Sequence, residues 1–168
     1  MIDGNLGHFD YYNKSVLYEF GFGLSYTNFS IDKNIRVEPT FQSGISALPS
    51  AAKTVPGGNP HLWDVLYRVS TTVENIGCRS GFAVPQLYLT IPRGSVEGFV
   101  EKNILRGFEK IHLKPGESQQ VVFNLTRRDI SRWDTVQQQW VIGRGRIDLS
   151  LGFSSRDFHA VESFVPIP

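Results

Sequence analysis

From Leu24 onward, apolar and polar residues alternate over short stretches, and this period of two constrains the fold more than any other feature of the chain. Successive side chains of an extended strand point to opposite faces, so each such stretch buries one face and wets the other. Tyr67, Val69, Thr71 and Val73 share one face, while Arg68, Ser70 and Thr72 share the other. Leu87, Leu89 and Ile91 alternate with Gln86, Tyr88 and Thr90, and Val121, Phe123 and Leu125 form a third apolar row. A fourth row, Ile147, Leu149 and Leu151, alternates with Arg146, Asp148 and Ser150. Helical spacing is almost absent. Strands with one apolar face each predict an all-β protein of two antiparallel sheets packed face to face.

Turn residues divide the pattern. In Lys114-Pro115-Gly116-Glu117 the fixed φ of Pro suits the second turn position and Gly the third, which predicts a reversal between strands at 103–113 and 117–126. Asn75-Ile76-Gly77 and Gly143-Arg144-Gly145 punctuate in the same way. Thr126 followed three residues later by Asp129 is a capping pattern, predicting a single helical turn over 127–133 before a strand with Trp140, Val141 and Ile142. About seven strands result, the number expected of an immunoglobulin-like sandwich. Residues 41–62, rich in Ser, Pro and Gly, read as a long loop, and residues 1–23 as an aromatic, irregular extension that is tethered loosely or lies on the sandwich.

At 168 residues the chain is long enough for one sizeable core, and its net charge is +1. Lys and Arg nowhere form a dense cluster, which predicts neither a nucleic-acid surface nor a polybasic membrane patch. No apolar run approaches the ~20 residues that a membrane-spanning helix needs. The opening Met1-Ile2-Asp3-Gly4 lacks a signal peptide's charged and apolar regions, so any leader of a secreted parent is expected upstream. Cys78 is the only cysteine, which leaves the core to hold the fold without an intrachain disulfide. Three Asn-x-Ser/Thr acceptors, at Asn13, Asn28 and Asn124, fit a secreted glycoprotein.

The stretch Tyr18-Glu19-Phe20-Gly21-Phe22-Gly23-Leu24-Ser25-Tyr26-Thr27-Asn28-Phe29 resembles the junction in glycoside hydrolase family 3 β-glucosidases, where the catalytic part gives way to a C-terminal fibronectin type III-like domain. Val73-Glu74-Asn75-Ile76-Gly77 with Val84-Pro85-Gln86-Leu87-Tyr88-Leu89, then the stretch from Leu105 to Glu117, then that from Leu125 to Asp134, match in the same order. Together they cover most of the chain, and the similarity is strongest to fungal secreted members. The resemblance implies residues 1–23 as linker and tail of a preceding α/β domain and 24–168 as the sandwich. It implies a non-catalytic, stabilising role, with the parent's catalytic domains as partners and Phe20, Phe22 and Tyr26 as contacts to them. The parent is expected to hydrolyse terminal β-D-glucosyl residues, as in cellobiose. An alternative reading is a module that binds polysaccharide or lignin through exposed aromatics.

No catalytic, cofactor or metal site is predicted in the chain itself. Glycoside hydrolysis needs two facing carboxyl groups, and the resemblance implies that both lie upstream. Glu97, Glu101, Glu109, Glu117, Asp129 and Asp134 fall in loops, turns or strand ends, as solvated residues do. His8, His61, His112 and His159 have no ligand-spaced neighbour. Gly21 and Gly23 precede a strand and lack the Lys and helix of a phosphate loop. Cys78 has no His beside it and reads as a plain thiol in a turn. Trp133 and Trp140 read as packing residues, and Trp63 as the anchor of the long loop and a candidate ligand contact.

Overall fold

The computed structural model describes residues 15–91 and 103–166 and contains strands with two short 3-10 turns. One sheet is built on β3 (Val65–Asn75), which pairs along one edge with β8 (Ser118–Thr126). Along its other edge lie β1 (Phe29–Ile31) and β2 (Arg36–Pro39). The second sheet runs β12 (Phe158–Phe164), β11 (Ile147–Gly152), β5 (Gln86–Thr90), β6 (Ile104–Phe108), all antiparallel. The inward rows meet between them: Val69, Val73, Phe123 and Leu125 from one sheet, Leu87, Leu89, Leu149 and Leu151 from the other, all buried in one cluster. Each such side chain contributes about 1.5–3 kcal/mol by leaving water. Gly107 brings the sheets together at one edge, where a Cβ would stand 2.8 Å from the Phe123 ring.

Three pairs of segments are single strands that break. β1 and β2 follow the same edge of β3 and separate at Asp32, whose side chain accepts from the Asn34 N–H at 2.9 Å in a local turn. The strand predicted over 103–113 divides into β6 and β7 (Ile111–Leu113), because its partner divides opposite it. That partner is β4 (Gly81–Ala83) followed by β5, and Pro85 between them has no N–H to give the ladder. Only the Pro85 carbonyl pairs there, accepting from the Glu109 N–H at 3.2 Å. Joined across these breaks, and with one peripheral hairpin set aside, the segments reduce to the seven strands of the expected sandwich.

The hairpin, β9 (Ser131–Asp134) with β10 (Gln139–Ile142), corrects the helical turn predicted over 127–133. Thr126 and Asp129 do cap each other, the Thr126 N–H and hydroxyl both donating to Asp129 Oδ2 at 2.8 and 2.7 Å. The turn stops at Ile130, however, and Ser131 is extended because its strand pairs with Val141 and Ile142 across the hairpin. The turn at Lys114 to Glu117 forms as predicted, with Gly116 at φ 72° and a Glu117 N–H to Lys114 O bond of 3.0 Å.

Residues 41–59 carry no strand, as the sequence predicts, but Trp63 is not their anchor. Its side chain is 60% exposed, and neighbouring Leu62 is buried instead. A 3-10 turn at Pro60–Trp63, capped by Asn59, aims Leu62 inward and Trp63 outward. Trp133 and Trp140 are likewise outside the core. They meet edge to face at 5.6 Å on the hairpin, with Trp133 43% exposed and the Arg128 guanidinium 3.3 Å over the Trp140 ring. The buried apolar residues of this corner are Ile130 and Ile142.

Candidate functional site

The alternation that places Gln86 and Tyr88 on a polar, solvated face of β5 is overturned: both are buried. What covers them is the N-terminal extension. Gln86 Nε2 donates to Gly21 O and to Phe153 O, each at 2.8 Å, and Gln86 Oε1 accepts from the Tyr88 hydroxyl at 2.5 Å. The Ser155 N–H donates to Phe20 O at 2.8 Å, and the Ser154 hydroxyl donates to Glu19 Oε1 at 2.8 Å. Of the two arrangements expected for the extension, residues 19–21 therefore take the second and lie against the sandwich.

Gly21 makes that strap possible. Its φ of 79° is in the region side chains avoid, and a Cβ there would stand 2.1 Å from Gln86 Oε1. Holding the backbone down turns the side chains out. Phe20 and Phe22 are partly exposed, Leu24 is 90% exposed and Tyr26 94%, while Tyr18 and Phe22 stack with centroids 5.0 Å apart. Below this ridge an open groove of about 590 Å³ is lined by Phe22, Leu24, Phe29, Phe82, Val84 and Phe153. Of the three candidate contacts, Phe22 lines this groove with Phe82 of β4, while Phe20 and Tyr26 are exposed on the same segment outside its lining.

The linker end of the sandwich is fixed by a buried polar centre that sequence reasoning took for turn punctuation. Asn75 is fully buried. Its Nδ2 donates to Arg79 O at 2.8 Å and Leu113 O at 2.9 Å, and its Oδ1 accepts from the Thr27 hydroxyl at 2.8 Å and the Gly77 N–H at 3.1 Å. Its backbone N–H donates to Glu117 O, and its carbonyl accepts from Gly116 N–H. The only advance signal was an Asn in an inward register position. At the opposite end Arg127 pins the long loop, donating to Ser46 O at 2.8 Å. Burial lowers its pKa from the ordinary value, and the nearby Asp64 carboxylate opposes that shift.

The remaining predicted residues do not converge. Asn28 and Asn124 are exposed, far apart along the sheet formed on β3, and Asn13 lies outside the described residues with His8, Glu97 and Glu101. Cys78 is exposed in a bend. His61 pairs with Asp64 at 2.9 Å and His159 with Asp157 at 3.3 Å, both at the surface. Among the described residues no three His, Cys, Asp or Glu side chains gather in a way that could hold a metal ion.

The model of the fibronectin type III-like domain family matches residues 83–155. Probable β-glucosidase G of Aspergillus terreus is 51% identical over 95% of this chain, which covers 19% of that protein. β-Glucosidase cel3A of Pyricularia oryzae is 42% identical over 95% of the chain, covering 21% of its own length. Among solved structures, the β-D-glucoside glucohydrolase of Trichoderma reesei superposes with a TM-score of 0.83 at 40% identity, over 95% of this chain and 21% of that one. A glycoside hydrolase family 3 β-glucosidase from Neurospora crassa gives 0.82 at 30% identity, over 94% and 27%. The chain spans about a fifth of the length of the curated relatives it matches. Residues 83–155 thus match the fibronectin type III-like domain family, and the chain as a whole is similar in sequence and fold to one part of fungal β-glucosidases, among them a member of glycoside hydrolase family 3.

Proposed function

We propose that this domain is a non-catalytic, stabilising part of a secreted β-glucosidase that hydrolyses terminal β-D-glucosyl residues, and that it acts by packing on the catalytic domains. The observation that carries the reading is the aromatic ridge. Phe20, Phe22, Leu24 and Tyr26 stand exposed on a segment whose backbone is bonded down at Phe20 and Gly21, the reverse of what folding of the isolated chain favours. A covering partner accounts for them. In the parent enzyme, Phe22→Ser with Tyr26→Ser should shorten the half-life at elevated temperature several-fold and leave KM unchanged. In the isolated chain the same pair should scarcely move the denaturation midpoint. Unchanged inactivation of the parent would refute the stabilising role, and the isolated chain should not turn over an aryl β-glucoside.

A second reading, attachment to polysaccharide or lignin, has one observation in its favour. Trp63 and Trp133 are both exposed. The Trp133 and Trp140 rings are inclined at 66° and Arg128 covers one of them, which does not make the coplanar row that a flat cellulose surface needs. Saturable cellulose binding, competed by cello-oligosaccharides and lost on Trp63→Ala, would support this alternative.

A further inference from the structure

We propose that Asn124 carries an N-linked glycan and that this glycan guards the open edge of β8. The inference rests on the secreted reading above and concerns a different face of the domain. β8 has the sequence Ser-Gln-Gln-Val-Val-Phe-Asn-Leu-Thr, nine residues with no charge, proline or glycine. Among the described residues it pairs with β3 alone, so its other side offers unpaired backbone groups to a neighbouring strand. Long, uncharged, β-prone segments at an edge are the ones that add strand to strand between molecules.

The opposite edge of the same sheet is protected in the usual ways. β1 and β2 are short, broken at Asp32, and carry Arg36, Glu38 and Pro39. β8 has none of these devices. It has instead the acceptor Asn124-Leu125-Thr126, with Asn124 exposed two residues from the strand's end and Leu125 buried in the core. Apart from the exposed Val122, the outward neighbours are polar: Asn124 faces Arg68 across the ladder, beside Glu38, and the same face continues through Ser70, Thr72 and Glu74. A bulky hydrated chain can leave this face without displacing packed atoms. Transfer forms a bond from Asn124 Nδ2 to the anomeric carbon of an oligosaccharide, breaks that carbon's bond to a polyprenyl diphosphate carrier, and releases an amide proton. Asn28 is exposed too, but it lines the groove assigned above to the partner, and the proposal does not extend to it.

The test uses the 168-residue chain secreted from a yeast host behind a leader. Peptide N-glycosidase in heavy-oxygen water should leave labelled aspartate at position 124, and Asn124→Gln should remove one glycan from the intact mass. An unmodified Asn124 in the secreted protein overturns the proposal. For the guarding role, the glycan of folded wild-type protein is trimmed with an endoglycosidase, which leaves one N-acetylglucosamine and puts no charge at position 124, and self-association is followed by light scattering. Association several-fold faster than that of the glycosylated form, and suppressed again in Asn124→Lys, is expected; equal rates before and after trimming refute it. The enzymatic arm needs no variant to fold, and the host supplies secretion. The outcome is therefore independent of the half-life test that decides whether the domain stabilises a β-glucosidase.

Discussion

Replacing Asn75 with Ala should cost this domain about 4 kcal/mol, a large share of the roughly 5–15 kcal/mol that holds a typical domain together. The side chain makes four hydrogen bonds, joining Thr27, Gly77, Arg79 and Leu113. Each is worth about 1 kcal/mol net, and a buried group left unpaired costs about 1–3 kcal/mol. Leu113 is fully buried, so its carbonyl is the group least able to find water as a replacement partner. Asn75→Asp sharpens the reasoning, since it keeps the acceptor but turns two donors into an oxygen facing the Arg79 and Leu113 carbonyls. Its loss should equal or exceed that of the Ala variant. Ile76→Ala, at an exposed neighbour, should change stability by less than about 0.5 kcal/mol. Urea unfolding with equal slopes for all four proteins gives the differences directly. An Asn75→Ala loss below about 1 kcal/mol would refute the argument by showing that water replaces the amide.

Leu149→Ala should destabilise by about 2–5 kcal/mol because the side chain is fully buried between the sheets, whereas Ser150→Ala on the other face should do far less, both read from denaturant melts. Leu62→Ala should speed limited proteolysis within residues 41–59, and Trp63→Ala, at an exposed ring, should leave the rate unchanged; the opposite order would restore Trp63 as the anchor. Gly21→Ala should release the strap, seen as faster amide exchange at Ser155, whose N–H is held by Phe20 O, with little change at the centre of β11.

The sandwich was legible because its inward rows are unbroken. Val69, Val73, Phe123, Leu149 and Leu151 all sit where a period of two places them, and Gly116 sits where its turn requires. What was not legible depended on a second segment. Gln86 and Tyr88 have the polarity of wet residues and become buried where Gly21 and Phe153 take the Gln86 amide and Phe158 packs edge to face on Tyr88. A Trp at a loop end carries the same signal whether it turns in or out, and the 3-10 turn that gives the inward place to Leu62 is set by Asn59 and Pro60. The break of the strand over 103–113 could have been found. Its cause is Pro85, but that residue lies on the partner strand, so the break shows only once the register is known.

The two outer faces of the sandwich are therefore unequal, and the inequality bears on how a partner can be held. On one side Arg68, Thr72 and Glu74 keep the face mostly polar, with Val122 the exposed apolar residue of β8. On the other, the strap bonds the outward Gln86 of β5, and it presents aromatic rings from a segment fixed by the Glu19 side chain and the Phe20 and Gly21 carbonyls. Ordering a flexible segment costs about 1–2 kcal/mol of backbone entropy per residue. For these residues that cost falls on folding of the domain, where the bonds to Gln86, Ser154 and Ser155 offset it. At this part of the ridge docking then has the rings of Phe20 and Phe22 left to immobilise, at about 0.5–1.5 kcal/mol for each flexible side chain. A ridge tied down in this way can hold a neighbouring domain with a small apolar contact, whereas a loose linker with the same rings would need a larger one.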